Sequence, residues 1–118
     1  MGDIQIWAGG VVMSFQLGSA LLDACVLAIV AKEDAYGYSL TQQVQEVMDI
    51  SESTLYPVLR RLQKAEYLST YDQPFQGRNR RYYRITNSGM GKYEDLLVEW
   101  TEYKQKIDTV LLGGLKNE

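Results

Sequence analysis

Apolar residues recur at three- and four-residue spacing over four stretches of this chain, and two short stretches between them are rich in β-branched and aromatic residues. The clearest helical pattern is Ser51 to Lys64. Leu55, Val58, Leu59 and Leu62 share one face there, while Ser53, Pro57, Arg60 and Lys64 point the other way and Tyr56 and Arg61 lie at the flanks. Ser51 or Ser53 supplies a cap. Pro57 is awkward, because a proline beyond the first turn removes a backbone hydrogen bond. Immediately after this helix, residues 68–72 and 80–85 read as strands. The Pro and Gly of the segment Gln73 to Asn79 mark a hairpin tip between them.

Upstream, Phe15 to Ala31 predicts a first helix with Leu17, Leu21, Cys25 and Val26 on one face and Leu22, Ile29 and Val30 widening the stripe. A helix apolar nearly all round needs cover on two sides, one from its own core and one from a partner chain. After the polar break Lys32 to Ala35, a second helix opens at Tyr38 or Ser39 and runs to about Val47, carrying Leu40, Val44 and Val47 inward. The turn Met48 to Ile50 then joins helices two and three closely, as in a helix-turn-helix unit. Downstream, Thr86 caps a long last helix from Asn87 to Leu112, ended by Gly113-Gly114, with Gly89 and Gly91 weakening its first turns. Its apolar positions Tyr93, Leu96, Trp100, Tyr103, Ile107 and Val110 follow alternating steps of three and four, a coiled-coil-like seam. With Leu17 and Leu21, these residues form the expected dimer interface. The competing expectation is that the stripe covers the domain's own core. Residues 1–14 show no periodicity and read as an N-terminal extension, a cloning remnant or an upstream in-frame addition ahead of Met13. The pattern thus predicts a mainly α fold with a small β-hairpin: residues 15–86 as one domain and 87–118 as a terminal dimerisation helix.

Composition adds boundaries. A chain of 118 residues makes one domain small enough to gain from oligomerisation. Its longest apolar run, residues 20–31, is broken by Asp23 and too short to cross a bilayer. With one cysteine and no secretory leader pattern, a reduced, cytoplasmic protein is the default, and Cys25 reads as a small core hydrophobe. The net charge of −3 argues against nucleic acid until its distribution is considered. Residues 1–59 carry one Lys against seven acids (−6), residues 60–92 eight Lys or Arg against two acids (+6), and residues 93–118 three Lys against six acids (−3). Phosphate binding depends on local charge, and the positive charge sits in the third helix and the hairpin.

Much chemistry is excluded. Without a single histidine, His-based acid–base, triad and metal chemistry is absent, and one cysteine makes no zinc site. No calcium-loop spacing and no glycine-rich phosphate loop is present. Neither an enzyme nor a cofactor is expected, and no metal site.

The residues resemble, quite specifically, the PadR family of bacterial transcriptional regulators. Matching segments are Tyr36-Gly37-Tyr38, Thr54-Leu55-Tyr56-Pro57, Leu59-Arg60-Arg61-Leu62, Gly77-Arg78-Asn79-Arg80-Arg81-Tyr82-Tyr83, and Ile85-Thr86 with Gly89. Their order and spacing cover about Phe15 to Leu112, and the single terminal helix is similar to the short subfamily. The resemblance implies a winged helix-turn-helix of three helices and a two-stranded wing, plus a C-terminal dimerisation helix. It implies that Ser53, Thr54, Tyr56, Pro57, Arg60, Arg61 and Lys64 belong to a helix entering the major groove. Tyr36, Tyr38 and Ser39 would meet the phosphate backbone, and Arg78, Asn79 and Arg80 would place the wing beside it. Arg61 and Arg84 stay open between contacts and plain surface charges, while Tyr82 and Tyr83 read as hairpin packing. The implied partner is a pseudo-palindromic double-stranded operator bound by a homodimeric repressor, with no membrane role. The alternative is a winged helix used for protein–protein contact.

Trp100 has two readings. In a multidrug-binding member of the short subfamily, a tryptophan of the last helix flanks a pore between subunits where flat aromatic compounds stack. Trp100 with Leu96 and Tyr103 lies in a similar context, and Glu99, Glu102 and Asp108 nearby would favour a cationic aromatic ligand. The other reading is that Trp100 only packs the interface.

Overall fold

The computed structural model describes residues 18–113; the expectations placed on residues 1–14, Phe15, Leu17 and Gly114 lie outside these. Seven elements follow one another: α1 (Ser19–Lys32), β1 (Ala35–Tyr36), α2 (Gly37–Val47), α3 (Glu52–Lys64), β2 (Leu68–Phe75), β3 (Arg78–Ile85) and α4 (Asn87–Leu111). The three short helices enclose a leucine-rich core in which Leu27, Leu40, Leu55, Leu59, Leu62 and Leu68 are fully buried. In α1 the core face is Leu22, Val26, Leu27 and Val30, whereas Leu21 and Cys25 are only half-buried. The apolar circumference of α1 concealed which arc faces inward.

α2 ends where the chain turns extended at Met48. Val47, predicted to point inward, is 80 % exposed; Met48 and Ile50, just past the helix end, pack on the core in its place. α3 is capped by Ser51, whose hydroxyl accepts from the Thr54 amide at 3.2 Å. Pro57 lies inside α3 on its exposed side and, lacking an N–H, gives up one bond of the helical ladder, to the Ser53 carbonyl.

The hairpin departs from expectation in two ways. Its strands run on through Gln73–Phe75 and Arg78–Asn79, so the predicted seven-residue tip shrinks to Gln76 and Gly77. Both have positive φ, 50° and 84°, the primed turn whose twist matches that of the flanking strands. Moreover, the sheet has three strands in the order β1-β3-β2, because Ala35 pairs with Tyr83 and Tyr36 with Tyr82. Two residues of strand are too short to show any periodicity in sequence.

Thr86 caps α4, accepting from the Gly89 amide at 2.9 Å. The hydroxyls of Thr86 and Ser88 also donate to the Glu66 carbonyl at 2.7 and 3.0 Å, which fastens the start of α4 to the corner between α3 and β2. Leu96 is buried against the domain, but farther along α4 the seam opens: Trp100 is 39 % exposed and Val110 60 %. Among the described residues, no helix is long and apolar enough to cross a membrane and no group of acids and cysteines could hold a metal ion.

Candidate nucleic-acid interface

Because Leu55, Val58, Leu59 and Leu62 are drawn into the core, α3 must show its other side to solvent. Ser53, Thr54, Pro57, Arg60 and Lys64 are all exposed there, while Tyr56 is half-buried against the core edge. The Ser51 hydroxyl lies 2.9 Å from that of Ser53 and 3.1 Å from that of Thr54, giving α3 a hydroxyl-rich N-terminus. No acid pairs with Arg60, Lys64 or Arg78 among the described residues. These cations stand ready for an external anion.

Arg61 is different. Its Nη1 lies 2.9 Å from both carboxylate oxygens of the largely buried Asp23 on α1, donating a hydrogen bond to Oδ2; Oδ1 has no hydrogen-bond partner. An acid isolated in an apolar helix is a sequence signal for such a cation, and it identifies Arg61 as a tie between α1 and α3.

The strand register sorts the wing into two faces. Leu68, Ala35, Tyr83 and Ile85 turn toward the core, and burial pushes the half-buried Tyr83 phenol above the ordinary tyrosine range. The outer face carries Phe75, Tyr71, Arg78, Arg80, Tyr82, Arg84 and Tyr36. These side chains stack in sequence. The Arg80 guanidinium lies 3.6 Å from the Phe75 ring centroid and 4.2 Å from that of Tyr36. Tyr36 leans on Tyr82 at 5.9 Å, and Tyr82 stacks on Tyr71 at 5.5 Å. Arg84 covers the other end, 4.7 Å above Tyr71, and pairs with Asp34 at 3.2 Å. The Tyr71 hydroxyl donates to Asp34 at 2.7 Å, and this bond holds its phenol above the usual range. Phe75, Asp34 and Tyr71 were invisible as site residues in the sequence; the only hint was an aromatic residue stranded in a polar hairpin.

Tyr38 is 50 % exposed at the start of α2, its hydroxyl accepting from the Gln42 amide at 3.2 Å, and the Ser39 hydroxyl accepts from Gln43 at 3.4 Å. Arg78 and Asn79 are exposed beside the turn. Of the predicted contact residues, Ser53, Thr54, Pro57, Arg60 and Lys64 on α3, Tyr38 on α2 and Arg78 and Asn79 at the hairpin end are exposed; Ser39 and Tyr56 are half-buried, and Tyr36, Arg61 and Arg80 are engaged within the chain.

A second site lies elsewhere. Leu21 and Ala24 of α1 and Leu96, Glu99, Trp100 and Tyr103 of α4 line an open groove of about 400 Å³. Trp100 and Tyr103 stand with ring centroids 6.4 Å apart, tilted by 42°. Leu96, buried, forms its floor, and Glu99 is the acid at its rim.

Smu.1704 from Streptococcus mutans UA159 has a crystal structure with 43 % sequence identity to this chain, covering 90 % of it and 100 % of that protein, at a TM-score of 0.80. A PadR-like transcriptional regulator of Bacillus cereus is 29 % identical over 77 % of this chain and 91 % of its own, with a TM-score of 0.71. Bacillus subtilis PadR in complex with operator DNA is similar in fold, at 20 % identity and a TM-score of 0.60, over 66 % of this chain and 47 % of that one. Residues 26–95 match the transcriptional regulator PadR-like family. With well over half of its length inside that match, this chain belongs to the PadR-like family of transcriptional regulators, and it is not an enzyme.

Proposed function

We propose that two copies of this chain bind a pseudo-palindromic operator, each placing α3 in a major groove and its wing on the neighbouring backbone. The observation that carries this reading is the exposed row Ser53, Pro57, Arg60 and Lys64 on the one side of α3 that the core leaves free. A helix of this width fits the major groove, and Arg60 reaches base edges or phosphate from it. Tyr36, Tyr38 and Ser39 face the backbone at the start of α2, and Arg78 and Asn79 do so at the hairpin end. The likeness in fold to a regulator solved on its operator supports this orientation. The exposed Trp100, Tyr103 and Val110, with the half-buried Ile107 between them, support pairing through α4, which would set the two recognition helices about 34–36 Å apart, one turn of B-DNA.

The protein acts as a repressor, and a flat cationic aromatic compound in the α1–α4 groove releases it. Trp100 and Tyr103 offer ring faces and Glu99 a compensating charge. Occupancy shifts α1 against α4 and so alters the distance between the two α3 helices, lowering operator affinity.

A mobility-shift titration on the fragment upstream of the protein's own coding sequence tests the DNA reading. Affinity falls steeply with added salt and nearly vanishes in Arg60→Ala combined with Arg78→Ala. Salt-insensitive binding, or full affinity in the double variant, refutes it and leaves a protein-contact role. For the ligand, planar cationic dyes quench Trp100 fluorescence in a Trp7→Phe background; unchanged dye affinity in Trp100→Ala refutes that part alone.

A further inference from the structure

We infer that Arg80 serves DNA binding as a positioning residue: clasped between the rings of Phe75 and Tyr36, it sets the wing's angle against the start of α2 instead of meeting phosphate by charge. This rests on the DNA-binding reading above.

The turn explains how the clasp forms. With Gln76 and Gly77 both left-handed, Phe75 falls opposite Arg78, and Arg80 lies two residues farther along the same outer face. That diagonal is within reach of long side chains. Its guanidinium then covers Phe75 at 3.6 Å on one side and Tyr36 at 4.2 Å on the other. Tyr36 is both a β1 residue paired with Tyr82 and the residue on which α2 begins. The clasp thus joins the far end of the hairpin to the segment that carries Tyr38 and Ser39.

A two-stranded ribbon projecting from a domain is held only at its base unless side chains brace it. Here the brace needs a flat cation. A guanidinium stacks on two rings at once because it is planar and weakly hydrated, and an ammonium group does neither. The same geometry accounts for Phe75, an aromatic residue left 39 % exposed at the hairpin end with no core to join. Arg78, at the turn opposite Phe75, makes no ring-stacking or ion-pair contact among the described residues.

The test compares the unaltered protein with Arg80→Lys, Arg80→Gln, Phe75→Ala and Phe75→Tyr by salt-series titration and hydroxyl-radical footprinting on the upstream fragment. Arg80→Lys keeps the charge and Phe75→Ala touches none, yet each loses roughly ten-fold in affinity. Each also loses protection at the flanks of the half-sites, while major-groove protection, melting temperature and salt slope stay as in the unaltered protein. Phe75→Tyr, which retains a ring, keeps the flanking protection. Full affinity in Arg80→Lys, with the salt slope of Arg80→Gln reduced by about one, would make Arg80 a phosphate contact and overturn the inference. An unchanged footprint in Phe75→Ala overturns it too. If the unaltered protein ignores the fragment, both this inference and the DNA-binding reading fall, so the two failures are distinguishable.

Discussion

Gly89 and Gly91 are equivalent in sequence, two glycines in the first turns of one helix, but their surroundings differ. A Cβ on Gly89 would collide with the Tyr67 carbonyl and crowd Ile85, whereas one on Gly91 would meet open space. Gly89→Ala therefore lowers stability by roughly 1–3 kcal/mol or more through overpacking. Gly91→Ala raises it by roughly 0.5–1 kcal/mol through helix propensity. Urea unfolding of both variants checks this; equal effects would mean that α4 is not seated on the Tyr67 backbone. Arg61 makes a second contrast. Removing it strands a carboxylate that is largely buried, although the guanidinium itself is about half exposed. Arg61→Ala costs about 1–2 kcal/mol, below the range for a fully buried pair, and combining it with Asp23→Ala costs less than the sum. A loss of operator affinity without loss of stability would instead place Arg61 at the DNA.

Among the elements, the wing shows most clearly how local backbone chemistry serves a site. Gln76 holds φ of 50°, a conformation that non-glycine residues adopt at a cost and that asparagine tolerates best. Gln76→Asn should stabilise the protein by roughly 0.5 kcal/mol without altering the register, because it creates the preferred Asn-Gly turn. Thermal melting with amide exchange of β2 and β3 measures both; destabilisation would show that the Gln76 side chain has a role beyond its backbone. The short β1 strand matters for the same reason. It places Tyr36 against Tyr82 and so brings the start of α2 to the wing's outer face. Asp34, just before it, gathers Tyr71 and Arg84.

At the scale of the whole molecule, α4 is seated by its first turns and Leu96, and beyond these Trp100, Tyr103 and Val110 of its seam are exposed. In the proposed dimer, that seam meets its copy. Tyr103→Glu combined with Val110→Lys is therefore expected to give monomers by sedimentation velocity at micromolar concentration. The α1–α3 core keeps its fold, because neither residue joins it. Operator affinity falls when the dimer is lost, since one recognition helix then binds without its twin. A double variant that remains dimeric places the interface elsewhere.

The chain's local sequence alone determined the order of helices, the capped start at Thr86, the solvent face of α3 and the long amphipathic α4, while the choice between Ser51 and Ser53 as the cap of α3 was left to the structure. These depend on neighbours within a few residues, which is the range over which helical periodicity and capping act. What only the tertiary structure decided comes from pairs distant in sequence. Asp23 meets Arg61, Arg80 meets both Tyr36 and Phe75, and Val47 gives up its expected place to Met48 and Ile50. Whether an arginine is free for phosphate or spent on a ring or a carboxylate depends on what the fold brings within about 4 Å of it. No pattern along the chain encodes that distance.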